Sequence, residues 1–207
     1  KIQNSTPKAT PDFRKSLEDK DVDVLVIAAP DHWHAPAAIL ACKAGKDVYL
    51  EKPSSHNPNE GEMLVKSAEK HKRVLQMGNQ LLSWPNVAGA IAELHAGVIG
   101  RPYFAKTWYT NNRASIGIGK ETAIPAWLNY DLWQGPAPRK AYKDNLIHYN
   151  WHWFWHWGTG ETGNNATHEL DVARWALQVK YPEHVYVEAA KRHFKNDGWV
   201  MYDTMDA

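Results

Sequence analysis

An α/β fold with a parallel sheet covered by helices is the fold class that this sequence predicts, on three observations. Short apolar segments rich in valine and isoleucine recur over residues 22–78. Helical segments separate them, as successive crossover connections between parallel strands require. Proline or glycine closes each apolar segment, and both residues end strands. At 207 residues the chain is also long enough for a sizeable core.

The first half is predicted to alternate strand, helix, strand, helix and strand. We expect a helix at residues 36–44, which ends before Gly45. The strands are expected at residues 22–29, 47–50 and 73–77.

The second helix carries a clear start signal. Asn57 is a good N-cap, Pro58 suits the first helical position, and Glu60 follows three residues after the cap. The helix should run to about Lys72. We expect its buried face to consist of Met63, Leu64, Ser67 and Ala68.

The alternation of strands and helices ends after Leu82, where we place a boundary between residues 1–82 and residues 83–207. Residues 110–150 are rich in Asn, Gly and Pro and show no clear period. Helices are expected at residues 87–96 and 167–178, and strands at 102–109, 184–190 and 199–202.

The ends suggest a piece of a longer protein. Residues 1–12 read as a polar loop without an initiator Met, and the chain stops just after a strand-like segment. Any targeting signal would lie upstream, so a cytoplasmic location is only the default expectation and periplasmic export stays open.

Composition excludes several classes of function. Lys plus Arg is 24 against 23 for Asp plus Glu, a formal net charge of +1, which argues against nucleic acid or an anionic membrane as partner. The lone cysteine, Cys42, rules out an internal disulfide. The longest apolar run is far shorter than the roughly 20 residues that span a bilayer. The 11 Trp and 11 His indicate an aromatic cleft with polar edges.

Polar side chains follow all three predicted strands, at residues 30–34, 51–53 and 78–80. Ligands bind outside the carboxyl ends of such strands in open parallel sheets. Lys52 stands between an apolar strand and a proline, so partial burial should lower its pKa toward a range useful for proton transfer. The plainer alternative is that Lys52 pairs with Glu51 or reaches solvent.

A second group of polar residues opens the helix at residues 167–178. His168 and Asp171 are three residues apart, and therefore share one helix face. Asn164 precedes His168 by four residues. The structural alternatives are a salt bridge from Asp171 to Arg174 and a satisfied histidine at a helix start.

Residues 158–163 read G-x-G-x-x-G, yet we reject them as a dinucleotide fingerprint. The preceding segment is bulky and aromatic, and the motif follows the αβ units instead of opening one. We interpret these glycines as a hinge at the mouth of a substrate site.

The aromatic run at residues 151–157 allows a zinc reading, because His148, His152 and His156 would line one face of a helix. The many Trp and Phe residues favour an extended chain instead. In an extended chain these imidazoles stand too far apart to bind one ion. We therefore expect no metal. Stacking on sugar or packing between domains suits the aromatic side chains better. The candidate substrate contacts are Trp127, Trp151, Trp153 and His156.

Taken together, these motifs resemble the Gfo/Idh/MocA oxidoreductase family, the relatives of glucose–fructose oxidoreductase and inositol dehydrogenase. The resemblance covers about residues 22–177. Its marks are VDVLVIAAPDHWH at residues 22–34, EKP at 51–53, GNQ at 78–80, LNYDLWQGPAP at 128–138 and HELDVARWAL at 168–177.

The resemblance implies a two-domain enzyme. A partial Rossmann domain that binds NAD or NADP would precede an α+β substrate domain with an open, mostly antiparallel sheet. The family's glycine-rich turn would lie before Lys1, and the far part of the sheet after Ala207. The implied partners are a small sugar or polyol and further copies of the chain, as a dimer or tetramer.

The implied reaction oxidises a sugar or polyol hydroxyl to a ketone, with hydride passing to nicotinamide. By motif position Lys52 and His168 match the catalytic lysine and histidine, and Asp171 the acid after it. We also count Asn164 among the catalytic candidates, because it stands at a catalytic position of the family motif. The residues implied to line the cofactor are Pro30, Asp31, His32, His34, Glu51, Lys52, Pro53 and Gln80.

One departure from the family pattern keeps alternatives open. Asn164 stands where the family usually has Asp, and Ala166 where it has Gly. An amide cannot accept a proton as a carboxylate does. The alternatives are an NAD-dependent glycosidase that oxidises its sugar transiently, or a non-catalytic sugar-binding protein on the same fold.

Overall fold

A computed structural model describes residues 6–207 of the chain. Residues 1–5 of the predicted loop lie outside the described residues, and residues 6–12 contain neither helix nor strand. A short helix α1 (Arg14–Glu18) precedes the sheet. No helix of residues 6–207 combines the length and apolarity that crossing a membrane requires.

The predicted parallel sheet is confirmed. It consists of β1 (Val24–Ile27), β2 (Asp47–Leu50) and β3 (Leu75–Met77), in that spatial order. Val24 pairs with Asp47 and Leu50 with Met77, both in parallel register. The predicted strands were right in position, although the first and third are shorter than expected.

Helices α2 (Asp31–Lys43) and α3 (Pro58–His71) make the two crossovers and cover one face of the sheet. Right-handed crossovers in the same direction place both helices on that side. The core between helices and sheet includes Ile27, Val48, Leu50, Ala35, Ala38, Ala41 and Leu64. On the opposite face Val24 and Val26 are exposed, Val26 by 67%.

Helix α2 begins five residues before the predicted start at Pro36, which was therefore wrong. Tertiary contacts hold the extra turn. The His32 N–H donates to the Trp157 carbonyl, and the His34 ring lies between two other carbonyls. These contacts stabilise a helical turn that the proline alone disfavours.

Helix α3 confirms its predicted start. The Asn57 side chain accepts a hydrogen bond of 3.0 Å from the Glu60 N–H, and Lys72 ends the helix in the left-handed conformation. Leu64 and Ser67 are buried as expected. Met63 was wrongly assigned to the buried face, because it is 51% exposed.

The second half contains α4 (Pro85–His95), α5 (Tyr130–Gln134) and α6 (Thr167–Leu177). Strands β4 (Glu188–Ala190) and β5 (Thr204–Asp206) form an antiparallel pair. The strand predicted at residues 102–109 is absent from the described structure, and its side chains Tyr103, Phe104 and Trp108 are exposed. A weak alternation without a pairing strand does not sustain a strand.

Aromatic packing holds together the irregular segments of this half. The predicted strand at residues 199–202 was wrong, since Trp199 stacks on Trp153 with ring centroids 4.0 Å apart. The extended chain expected at residues 151–157 was also wrong, because a 3₁₀ turn occupies Asn150–Trp153. That turn brings indole rings together from distant parts of the sequence.

His32 connects α2 to this aromatic region. Its Nε2 lies 2.8 Å from the Trp133 carbonyl oxygen and its Nδ1 3.4 Å from that of Trp157. Burial lowers the pKa of His32 to about 4, although both carbonyls favour the charged ring. The ring is therefore neutral in the folded protein at neutral pH.

This burial predicts a loss of stability in acid. Between the unfolded pKa of His32 and its folded value of about 4, the unfolded chain binds the extra proton. The free energy of unfolding should thus fall by about 3 kcal/mol as the pH drops through that window. Urea denaturation at a series of pH values measures the slope. His32→Gln should flatten it, whereas the exposed His184→Gln should not; equal slopes in all three proteins would contradict the assignment.

Candidate functional site

The carboxyl ends of the three parallel strands meet at one edge of the sheet. The Glu51 N–H donates to the Ile27 carbonyl and the Gly78 N–H to the Leu50 carbonyl, which places the three strand ends side by side. The residues that follow these strands therefore converge, as the sequence predicted.

Lys52 follows β2 and reaches from this edge to the second half of the chain. Its ammonium donates to the backbone carbonyl of Asn164 and, at 3.0 Å, to the side-chain Oδ1 of the same residue. Burial is the main cause that lowers the pKa of Lys52. The carboxylates of Asp31 and Glu51 partly offset that shift. The amine is thus closer to neutrality than an exposed lysine.

His168 lies in the first turn of α6, one turn beyond Asn164. Its Nδ1 is buried and finds no hydrogen-bond partner within residues 6–207. Burial lowers the pKa of His168, and the positive charge of Lys52 lowers it further, so the two groups lie within electrostatic reach. A buried nitrogen without a partner requires an explanation, and a bound substrate hydroxyl would supply one.

Asp171 connects the two halves. Its Oδ2 accepts a hydrogen bond of 2.8 Å from Asn79, which follows β3. Its Oδ1 lies 3.3 Å from Arg174, so the salt bridge considered from the sequence also forms. Both carboxylate oxygens are therefore occupied, and the residue holds α6 against the end of β3.

Three residues predicted along the cofactor have side chains engaged within the fold. Asp31 Oδ2 accepts hydrogen bonds from the N–H of Thr159 at 3.0 Å and from its hydroxyl at 2.6 Å. The ring nitrogens of His34 lie 2.5 and 2.7 Å from the carbonyl oxygens of Pro53 and Ala29. His32 faces two other carbonyls, as described above. In this arrangement these side chains hold the surrounding loops in place.

The remaining cofactor-lining candidates stay at the edge of the sheet. Pro30, Glu51 and Pro53 are half-buried there, and Gln80 is exposed at the start of a 3₁₀ turn. Their positions leave them accessible to a ligand that approaches the ends of the strands.

The glycine-rich segment allows the two halves to approach closely. A Cβ on Gly163 would lie 2.0 Å from the Thr159 Oγ1 and 3.3 Å from the Pro53 ring. Gly160 has φ +63 and packs against Met201. The segment thus packs closely against its neighbours and brings Asn164 to Lys52, and its role as a hinge stays a prediction.

Two of the four candidates for substrate stacking are buried inside the fold. Trp151 is buried and stacks on His152 with centroids 3.6 Å apart, and Trp153 is buried against Trp199. Trp127 is 64% exposed and stacks on His148. His156 is half-buried beside Trp157. Across the described part of the chain, no three His, Cys, Asp or Glu side chains form a metal site.

Sequence reasoning missed a charged cluster beside Asn164. The Arg113 Nε donates to Glu161 Oε1 at 2.7 Å, and the guanidinium lies over the rings of Tyr149 and Trp153, 5.4 Å from each centroid. Arg113 and Tyr149 come from residues 110–150, which show no periodic signal. Their partnership is a property of the tertiary fold alone.

Comparison with known proteins gives two family matches. The NAD-binding Rossmann fold of the Gfo/Idh/MocA oxidoreductase family matches residues 2–79. The C-terminal alpha/beta domain of the same oxidoreductase family matches residues 66–204.

Individual relatives agree with these matches. A levoglucosan dehydrogenase of Pseudarthrobacter phenanthrenivorans is 33% identical over 82% of this chain and 36% of its own length. A glycosyl hydrolase family 109 protein of Saccharopolyspora erythraea is 31% identical over 64% of this chain and 31% of its own. The chain thus spans about a third of the length of these curated relatives.

A solved structure shares the fold at low identity. A probable dehydrogenase from Thermotoga maritima superposes with a TM-score of 0.59 at 18% identity, over 95% of this chain and 49% of that one. At this identity the likeness concerns the fold alone.

Proposed function

The chain belongs to the Gfo/Idh/MocA oxidoreductase family, and on that basis we propose that the protein carrying it transfers hydride between a sugar or polyol hydroxyl and NAD or NADP. The observation that carries the proposal is the half-buried Lys52 amine, held by Asn164 at the carboxyl edge of the sheet with His168 within electrostatic reach. This places a proton acceptor at the edge of the sheet where α/β folds bind ligands, with the His168 imidazole as the second group that we propose for the reaction.

The residues at this edge fit the nicotinamide part of such a cofactor. The unpaired Nδ1 of His168 and the accessible Glu51 and Gln80 leave polar atoms free to meet a ligand. Lys52 and Pro53 would shape the pocket, with Pro30 on the neighbouring strand end. A bound NAD or NADP would supply the hydride acceptor.

Lys52 is suited to hold the hydroxyl proton. A neutral amine has two N–H bonds and one lone pair, and two Asn164 oxygens accept the two N–H bonds. The lone pair is then left for the proton of a substrate hydroxyl. Because burial lowers the pKa of Lys52, this neutral form is reached at a lower pH than for an exposed lysine.

The Asn164 side chain accepts a hydrogen bond from Lys52 without adding a negative charge, and Asn164→Asp tests whether that matters. A carboxylate beside Lys52 should raise the pKa of the amine by about one to three units, since an opposite charge favours the ammonium. The alkaline rise of kcat against pH should move upward by the same amount. Asn59→Asp adds the same charge on the exposed face of α3 and should leave the profile in place. An unshifted profile in Asn164→Asp would show that Lys52 is not the titrating base.

Product stoichiometry tests the proposed function. The protein is incubated with neutral sugars and polyols in the presence of NAD or NADP, and reduced cofactor is measured together with the ketone product. A dehydrogenase should form one reduced cofactor for each ketone. Cleavage of an aryl glycoside with catalytic NAD and no net reduction would favour the second candidate, suggested by the family 109 relative. Absence of both reactions would contradict the proposal.

We propose the boundary near Leu82 between a cofactor domain and a substrate domain, a homo-oligomeric state of two or four copies, and a cytoplasmic location by default. The 3₁₀ turn at Gln80–Ser83 supports the boundary, because it connects β3 to α4.

A further inference from the structure

Beside Lys52 lies a group of side chains that the proton transfer does not use, which we name the charged wall: Arg113, Tyr149 and Glu161. The Glu161 carboxylate accepts hydrogen bonds from the Arg113 Nε at 2.7 Å and from the Asn165 side-chain amide at 2.5 Å. Asn165 is the neighbour of Asn164, which binds Lys52, so the wall begins next to the reacting centre.

The charged wall is partly accessible to solvent, and contacts within the fold position its side chains. The side chains of Arg113 and Glu161 are 23% and 25% exposed, so each keeps atoms free for a ligand. Arg113 is fixed over the half-exposed Tyr149 ring, and the Tyr149 hydroxyl lies 3.5 Å from the Asn164 amide nitrogen. The guanidinium offers hydrogen-bond donors and the carboxylate offers acceptors, and a sugar hydroxyl can pair with either.

The charges near Lys52 disfavour an anion. Those acting on it most strongly are three carboxylates, of Asp31, Glu51 and Glu161, and one guanidinium, of Arg113. Negative groups thus outnumber positive ones among the side chains whose charges act most strongly on Lys52. Arg113 would otherwise attract a carboxylate, but the negative charge of Glu161, 2.7 Å from the Arg113 Nε, offsets the positive charge of the guanidinium. Like charges brought together cost affinity.

We propose that the charged wall selects uncharged sugars and polyols by binding hydroxyls next to the reacting carbinol, and that Glu161 excludes sugar acids by occupying Arg113. This inference rests on the proposed function and adds to it which substrates the site selects. Arg113 and Glu161 are specificity residues here, and the proton transfer remains with Lys52.

Binding measured by calorimetry tests the selection separately from turnover. Glucose and glucuronate form a matched pair that differs in the charge at C6, with myo-inositol as a second neutral ligand. The wild-type protein should bind the neutral ligands more tightly than glucuronate. Glu161→Gln frees Arg113 and should shift the ratio of the two dissociation constants toward glucuronate by roughly tenfold or more. Glu188→Gln removes an exposed partner of Arg192 and serves as the matched control.

Kinetics with the same ligands give a second reading. Arg113→Gln should raise KM for the neutral substrate with little change in kcat, because the charged wall binds the substrate and takes no part in the proton transfer to Lys52. Thermal unfolding of each variant confirms that it is folded. A wild-type preference for glucuronate, or a ratio unchanged in folded Glu161→Gln, would overturn the inference. If no hydride transfer is seen with any ligand but the binding ratio still shifts, the proposed function fails and the selectivity stands.

Discussion

Replacing Lys52 with methionine is expected to lower kcat by about 10²–10⁴-fold, the usual contribution of a positioned general base. Methionine keeps the length and apolar stem but offers no proton acceptor. It also leaves both Asn164 oxygens without their donor. Steady-state kinetics on a neutral sugar measure the loss, and calorimetry shows whether the variant still binds that sugar.

Lys66→Met is the matched control for that experiment. Lys66 is exposed on α3 and pairs with Glu62, so its removal should change neither kcat nor stability beyond about 0.5 kcal/mol. Turnover that survives in Lys52→Met would contradict the assigned role. An unchanged cellular activity together with intact sugar binding would instead favour the non-catalytic binding protein.

Trp199→Ala is expected to produce the largest loss of stability, about 3–5 kcal/mol. The Trp199 ring is buried, and its centroid lies 4.0 Å from that of Trp153 and 4.9 Å from that of Phe194. Truncation therefore leaves a cavity among these three aromatic rings. Thermal unfolding should show a decrease in Tm of about 10 °C. Because Trp153 lies under Arg113, sugar affinity should fall as well.

An exposed indole gives the comparison. Trp108 is 73% exposed, and Trp108→Ala should change the free energy of unfolding by less than about 0.5 kcal/mol. Equal losses in the two variants would mean that burial in the aromatic cluster does not govern stability in this half.

The sequence was sufficient to predict the parallel sheet, both crossover helices and the convergence of the strand ends. Local signals carry this information: the Asn57 cap and Pro58 locate α3, and the short apolar runs locate the strands. The contact between Lys52 and Asn164 was not predicted, because 112 residues separate them and the family motif positions only name both as catalytic candidates.

What the sequence could not supply depends on tertiary contact. The first turn of α2 is held by carbonyls of distant residues such as Trp157, so Pro36 gave a misleading helix start. The charged wall joins Arg113 to Glu161 across 48 positions without any periodic pattern. Residues 151–157 have strand-like composition, but stacking between indoles decides their conformation.

The contact between Lys52 and Asn164 has a consequence for the acidity of the amine. Loss of this contact would expose the amine to water and reduce the burial that lowers its pKa. The pKa of Lys52 therefore depends on how closely the two halves of the chain pack at this point.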